Sequence, residues 1–490
     1  MGRRAGRAPL ARPLLAGAAL LGLARRCRGF DVRVSKGLYS RGYDAVRLSV
    51  ISNETEPILS DLEWAWKAQF AHRWTSRKLH TQVLDVGRAG TTVHVGGTDV
   101  HLRLPAEGSR VTGLLISDPC FTSSGGTPCP IGRRHKLLDR LSKLVNTLVG
   151  SAEFDFWGIL GDNFYDHHGD VSAEFFKHLS LAAKSKLFLT VPGNHDFWRG
   201  GLPSGDSRDQ LGFGFMQFYG QDTVSGKGGL APYNFSVHLE DSLQIAGADN
   251  FIFGTQIGDL AFFGYSGAHA WSSTGPHAEG FCDYVGRTDS VQTVVLLGHW
   301  SQVNSGCVPG MDVPSVYTRM KAMEGCAGKR MVYFMGHQHC NRVSLYGPKA
   351  DEEGPLDAIG FLIGGAGMQG DGCSEFGFTV IQSTAGEGQG HNIRVDHFPL
   401  IEDSSDDHDF SQAHDGFDAV FSCLNRSGYA GCRERHGLSF RATNVESIVT
   451  PVEITETLAP PRAAMGSPRL AQSLFGPSSS STGTSTTPAA

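Results

Sequence analysis

Five short apolar runs in this 490-residue chain each end at a residue able to bind a metal ion. Leu-Leu-Ile-Ser leads into Asp118, Trp-Gly-Ile-Leu-Gly into Asp162, Leu-Thr-Val-Pro-Gly into Asn194, Val-Leu-Leu-Gly into His299, and Tyr-Phe-Met-Gly into His337, with His339 two residues further on. Short apolar runs bounded by turn formers read as buried strands. In open α/β sheets, ligands gather in the crevice at the carboxyl ends of the strands, so five such endings converge oxygen and nitrogen donors on one site. One ending alone would mean little. Glycine precedes four of the five residues, at 161, 193, 298 and 336, where a Cβ would obstruct a sharp turn beside an ion.

Helical spacing separates these runs: Leu137, Leu138, Leu141, Leu144, Val145 and Leu148, then Val171, Phe175, Leu179 and Ala182. Further apolar runs at 261–265, 294–297, 332–335, 359–363 and 378–381 complete an α/β core over residues 111–400. Ahead of it, residues 31–105 alternate with period two through Val46, Leu48 and Val50, then Val93 and Val95, a Gly96-Gly97 turn, and Val100, Leu102 and Leu104. This is a small β-rich leading region. Behind the core come an acidic linker and a Cys-containing tail, 401–456, then a low-complexity end, 457–490, too poor in apolar residues to fold. There is no internal repeat.

Composition narrows the class. The 43 basic and 49 acidic residues leave a net charge of −6 without a basic patch, which argues against binding a nucleic-acid backbone. No apolar run approaches the roughly 18 to 20 residues of a membrane span. The 63 glycines point to many tight turns and to chemistry carried on loops.

Residues 1–24 carry arginines ahead of an apolar stretch at 14–23, with small residues at its end, as in a secretory signal peptide. Seven arginines and no acidic residue before Asp31 also fit an organellar transit peptide. Sequons at Asn53, Asn234 and Asn425 accord with secretion, so a secreted or lumenal protein is expected, organelle import being the alternative. Among the ten cysteines, the short loops 120–129 and 423–432 are the plausible bridges.

The ordered set Asp118, Gly161-Asp162, Gly193-Asn194-His195-Asp196, Gly298-His299 and Gly336-His337-Gln338-His339 resembles the calcineurin-like metallophosphoesterase superfamily. Within it, Gly161-Asp162-Asn163-Phe164-Tyr165 is similar to the small purple acid phosphatases. The resemblance covers about 111–400 and implies an α/β fold of two mixed β-sheets flanked by helices, a four-layer sandwich. It implies that Asp118, Asp162, Tyr165 and His339 hold one ion, and Asp162, Asn194, His299 and His337 a second. A hard anionic set with a phenolate suits Fe(III); the other set suits divalent Fe, Zn or Mn. The implied reaction is hydrolysis of phosphate monoesters on small phosphorylated substrates by attack of a metal-bridging hydroxide. His195 would protonate the leaving alkoxide, and Asp196 would orient its ring.

One departure stands out. The superfamily's usual Asp-x-His is Asp118-Pro119-Cys120 here, which with Tyr165 favours the purple type. Cys120 itself is open to two readings, a thiolate ligand or half of a disulfide with Cys129. Two other functions stay open beside the acid phosphatase: a divalent-metal phosphodiesterase or nucleotidase of the same fold, and a catalytically silent, glycosylated surface or interaction protein. His167 and His168 read best as a solvated loop. The stretch 365–370 fits G-x-G-x-x-G but lacks a following helix, and reads as a tight turn. Trp64, Trp66, Phe70 and Trp74 read as core or interface packing. The oligomeric state is not legible.

Overall fold

The computed structural model describes residues 30–36, 42–52, 60, 62, 66–69, 78–121, 129, 136–167, 169–197, 215, 219, 236–237, 244–245, 252–346, 358–364, 376–384, 392–401, 413–436 and 438–439. All of them belong to one compact unit, Met1–Ala442; the second unit, Thr443–Ala490, contains none. The leader at 1–24, the sequons at Asn53 and Asn234, His168, Trp64, Phe70 and Trp74, the 365–370 stretch, the acidic run and the end from 457 lie outside the described residues.

In chain order the elements are β1 (Phe30–Ser35), β2 (Ala45–Ser52), β3 (Trp66–Gln69), β4 (Lys78–Asp85), β5 (Thr91–Val95), β6 (Thr98–Leu102), β7 (Thr112–Ile116), α1 (Leu137–Leu148), β8 (Phe156–Leu160), α2 (Asp170–His178), α3 (Leu181–Lys184) and β9 (Leu187–Val191). There follow β10 (Ser236–Val237), β11 (Gln244–Ile245), β12 (Phe253–Ile257), β13 (Leu260–Gly264), α4 (Trp271–Arg287), β14 (Thr293–Leu297), α5 (Val313–Lys321), α6 (Glu324–Ala327) and β15 (Arg330–Met335). The last are β16 (Arg342–Tyr346), β17 (Ala358–Leu362), β18 (Phe376–Thr384), β19 (Asn392–Ile401), α7 (Ala413–His436) and β20 (Leu438–Ser439).

Two mixed sheets carry the fold. One has ten strands in the order β20-β19-β18-β7-β8-β9-β1-β2-β4-β3; the other has six, β12-β13-β14-β15-β17-β16. Strands β7, β8 and β9 run parallel in the first, and β13, β14, β15 and β17 in the second. Parallel strands covered on both faces show continuous apolar runs rather than alternation. That is the pattern of Phe-Trp-Gly-Ile-Leu in β8 and Thr-Val-Val-Leu-Leu in β14, buried throughout.

The sheets pack face to face. Leu115, Phe156, Leu160 and Leu189 of the first share a core with Phe262, Val295, Val332 and Phe334 of the second, and the rings of Phe156 and Phe262 meet edge-on at 4.9 Å. On the outer face of the first sheet, α1 buries its stripe of Leu137, Leu141, Leu144, Val145 and Leu148, with Phe175 and Phe176 of α2 beside it. On the outer face of the second, α4 and α5 bury Phe281, Val285, Val316 and Met320. Each fully buried aliphatic or aromatic side chain contributes about 1.5 to 3 kcal/mol. The layers run helix, sheet, sheet, helix.

Both segments flanking the catalytic core join it. The leading region does not stand apart from the core: β1 pairs parallel with β9 (Val34 opposite Leu187), and β2, β4 and β3 continue that sheet. An uncovered β9 would present an unpaired edge, and β1 closes it. Within the leading region the β5–β6 hairpin, turning at Gly96-Gly97 as expected, lies outside the two sheets, as the short β10–β11 pair does further along the chain. Residues 413–436 of the Cys-containing segment also pack onto the core. They form α7, broken at Gly428, which buries Phe417, Val420, Leu424 and Tyr429 against the α1 cluster. The Tyr429 hydroxyl donates to Asp396 Oδ2 (3.0 Å), and its backbone N–H to Glu153 Oε2 (2.9 Å).

Disulfides join Cys120 to Cys129, as one sequence reading expects, and Cys282 to Cys326, which ties α4 to α6 across 44 residues. The bridge expected between Cys423 and Cys432 is not formed. Both are buried free thiols, and Cys432 Sγ is engaged with the Val420 carbonyl at 3.7 Å.

Candidate metal centre

Both sheets deliver donors to one place. Asp118 follows β7 by two residues and Asp162 follows β8 by two; Asn194 opens a single 3-10 turn after β9; His299 and His337 each follow β14 and β15 by two. The backbone is bent hard to do this. Of eight non-glycine residues with positive φ among those described, six lie here: Asp118 (54°), Asp162 (49°), Phe164 (66°), Tyr165 (52°), His337 (77°) and His339 (55°). Each such conformation costs on the order of 1 to 3 kcal/mol and persists only where the surroundings enforce it. Gly161 (φ 85°) and Gly193 make room: a Cβ at 161 would strike the His299 ring, and one at 193 would come within 2.8 Å of His299 Nε2 and against the Asp162 carboxylate.

The innermost atoms are all acceptors. Asp118, Asp162 and His299 place one ligand atom each within 4.8 Å of one another, with every residue buried. Nδ1 of His299 is 2.7 Å from the Leu160 carbonyl, so it carries a proton and turns Nε2 inward. There Nε2 faces Asn194 Oδ1 at 3.2 Å, Asp162 Oδ1 at 3.4 Å and Asp118 Oδ1 at 4.0 Å. Two carboxylates, an amide oxygen and an imidazole lone pair converging in a dry space fit a cation. Burial by itself would raise the Asp118 carboxyl, but the His339 ring, with the Ser117 hydroxyl 2.6 Å from Oδ2, holds it well below the usual carboxylate range.

Tyr165 and His339 meet Asp118 from the other side. The Tyr165 hydroxyl is 3.3 Å from Asp118 Oδ1 and 3.0 Å from His339 Nε2, which itself lies 3.3 Å from Asp118 Oδ1. Burial, then the charges of Asp162 and Asp118, keep the phenol well above its ordinary value. A cation bound there reverses that balance in favour of phenolate. Cys120, in its disulfide with Cys129, packs beside Tyr165 and offers no thiolate.

His337 is buried enough, and near enough to His299, that its imidazole is pushed down to about 4. Its backbone N–H donates to Asp118 Oδ2 (3.2 Å), and its Nε2 is 2.8 Å from Asn304 Oδ1.

His195 stands at the rim. Its backbone N–H donates to Asp162 Oδ1 (2.8 Å), and its ring lies 4.8 Å from that of Tyr165. Asp196 does not orient that ring. Its carboxylate accepts from the backbone N–H of Asn163 (2.9 Å), from Asn163 Nδ2 (2.9 Å) and from the backbone N–H of Gly193 (2.6 Å). Asp196 thus clamps the Asp162 loop to the Asn194 turn, and the physical reason is burial: a fully enclosed carboxylate takes the nearest N–H groups. Asn163 completes the clamp, donating to the Val191 carbonyl (3.1 Å) and accepting from the Thr190 hydroxyl (2.8 Å). Sequence reasoning gave Asn163 and Asn304 no role. Asn163 sits inside the quoted motif and was readable; Asn304, in Gln-Val-Asn-Ser, carries the signal of an ordinary turn.

Residues 98–341 match the family of calcineurin-like phosphoesterases, a span that contains all seven ligand candidates. The chain carries a calcineurin-like phosphoesterase domain. No curated protein compared with it matches. Among solved structures it is similar to a purple acid phosphatase from yellow lupin (Lupinus luteus) seeds, at 15% identity and TM-score 0.48, covering 75% of this chain and 71% of that one. It is also similar to PhoD, at 10% identity and TM-score 0.41, covering 81% of this chain and 98% of that one. Within the phosphoesterase domain the first ligand candidate, Asp118, lies about twenty residues inside the matched span, and the last, His339, two residues from the end.

Proposed function

We propose that this phosphoesterase hydrolyses phosphate monoesters as purple acid phosphatases do, with Fe(III) held by Asp118, Asp162, Tyr165 and His339 and a divalent Fe, Zn or Mn held by Asp162, Asn194, His299 and His337. The observation that carries the reading is the Tyr165 hydroxyl set against Asp118 Oδ1 and His339 Nε2. A buried phenol and carboxylate with a partly exposed imidazole form the hard, anionic set that suits a trivalent ion.

Bound at these two sets, the ions would neutralise the buried carboxylates, clamp the phosphate oxygens and acidify a water for in-line attack. The chain's own residues do the rest. Asp162 is placed to be shared, because its Oδ1 is fixed by the His195 N–H and faces His299. His195, held at the rim by that same bond and by Tyr165, protonates the leaving alkoxide. The Asp196–Asn163 clamp keeps the Asp162 and Asn194 turns at fixed separation. The Cys120–Cys129 and Cys282–Cys326 disulfides support a secreted or lumenal location. Among the described residues no helix is long and apolar enough to cross a membrane.

The test is hydrolysis of p-nitrophenyl phosphate against bis(p-nitrophenyl) phosphate by the full chain reconstituted with Fe(III) and Zn(II). A monoester rate at least tenfold the diester rate, highest in acid, is expected; a preference for the diester would move the protein to the phosphodiesterase branch.

A further inference from the structure

Five residues beyond His299, the loop leaving β14 returns to the metal centre. Trp300, fully buried, meets the His299 ring edge-on at 5.3 Å, and its indole N–H points to the Ser305 carbonyl at 3.4 Å. The Asn304 N–H donates to the Gln302 carbonyl (3.0 Å), and the Cys307 N–H to the Asn304 carbonyl (2.8 Å). Ser305 is held at φ 46°, a conformation that a side-chain-bearing residue rarely adopts. This tight loop presents the half-buried Asn304 side chain to His337, with Oδ1 2.8 Å from Nε2.

An amide oxygen only accepts, so this contact is a hydrogen bond when the proton sits on Nε2. A neutral imidazole with its proton on Nε2 keeps its lone pair on Nδ1. The His337 main chain is fixed separately, by its own N–H on Asp118 Oδ2 and by its φ of 77°. Backbone and ring are therefore set by two different neighbours.

We infer that Asn304 is a positioning residue for the divalent site: it fixes the tautomer and rotation of His337 so that Nδ1 is the ligating nitrogen. Asn304 hangs from the strand end that carries His299, whose ring lies 5.1 Å from that of His337, while the His299 ring itself is set by the Leu160 carbonyl. The inference rests on the reading of His337 as a ligand. Partners that orient a ligating histidine typically alter metal affinity 10- to 100-fold when removed.

The experiment is a Zn(II) titration of the metal-free full chain, comparing wild type, Asn304→Leu and Asn304→Asp, with thermal melts of each metal-free protein. Wild type is expected to bind two Zn(II). Asn304→Leu should weaken one of the two by about 10- to 100-fold and leave the other unchanged. Asn304→Asp, which keeps an oxygen acceptor, should bind within about threefold of wild type on the same scale. Melting temperatures of the metal-free proteins should agree, which a merely structural role would not allow. If Asn304→Leu does not fold, Asn304→Ala makes the same comparison. Undiminished binding of both Zn(II) ions by the Leu or Ala variant, or failure of Asp to restore it, would overturn the inference. A wild-type protein that binds no Zn(II) would instead overturn the dimetal reading beneath it, and that failure shows before any substitution is made.

Discussion

The Nε2 atom of His299 lies 3.4 Å from Oδ1 of Asp162, while Nδ1 of the same ring is committed to the Leu160 carbonyl at 2.7 Å. The ring is thereby locked with its free nitrogen toward two carboxylates. Two bare carboxylate charges within 4.8 Å repel by about 3.5 kcal/mol at an effective dielectric near 20, a repulsion that a bound cation would relieve.

Stripping metal should therefore destabilise the fold, and removing one charge should help the stripped protein. Metal-free Asp162→Asn is expected to melt above metal-free wild type, yet to gain nothing from added Zn(II), whereas wild type should gain on the order of 4 kcal/mol at a thousandfold excess over Kd. Calorimetric melts with and without chelator check both halves.

Gly193→Ala should disrupt the centre from the backbone. Its Cβ would come within 2.8 Å of His299 Nε2 and against Asp162, at a cost of about 1 to 3 kcal/mol and with loss of bound metal. Gly328→Ala, where a Cβ would meet nothing within 4 Å, is the control and should change stability by less than about 0.5 kcal/mol. Urea unfolding and metal analysis of the two variants test the contrast.

His195 and Asp196 are adjacent in sequence but should fail differently. Asp196→Ala leaves three buried N–H donors without their acceptor, each costing about 1 to 3 kcal/mol, so it should lower stability steeply. His195→Ala should leave stability near wild type and lower phosphatase turnover about 10²- to 10⁴-fold. An Asp196→Ala protein of normal stability with only a turnover defect would return Asp196 to orienting the His195 ring.

The strand-end positions of Asp118, Asp162, Asn194, His299 and His337 were legible: a run such as Val-Leu-Leu-Gly-His announces both the strand and the residue at its carboxyl end. The proximity of Asp118 and Tyr165 could be read from motif order, and the Cys120–Cys129 disulfide fits one of the two readings of Cys120. What was not legible depends on contacts remote in sequence. The pairing of Val34 with Leu187 spans 153 positions, and nothing in 31–105 states which strand edge it will cover. The helix α7 was hidden because its apolar stripe is interrupted at Gly428, whose break lets Tyr429 reach Glu153 and Asp396. Asp196 looked like a partner for its neighbour because sequence adjacency was visible and burial was not.

Acid should weaken the fold through His397. It is buried in β19, and that burial pushes its imidazole down to about 3 from an ordinary 6.5. Between those values the unfolded chain binds a proton that the folded one does not, so stability falls as pH drops through 6.5 and keeps falling toward 3. From pH 7.5 to pH 5 this one group removes about 2 kcal/mol. His397→Leu should lose about that much less than wild type over the same interval in urea unfolding; equal losses would assign the acid sensitivity elsewhere.

The most direct measurement of the central claim is the visible absorption spectrum of the full chain loaded with Fe(III) and Zn(II), beside Tyr165→Phe. A phenolate bound to Fe(III) gives a charge-transfer band, so wild type should be coloured and Tyr165→Phe should lose the band while still binding metal through Asp118, Asp162 and His339. A colourless wild type that binds two ions and cleaves phosphoesters would contradict the account, leaving Tyr165 as packing around a centre of two divalent ions.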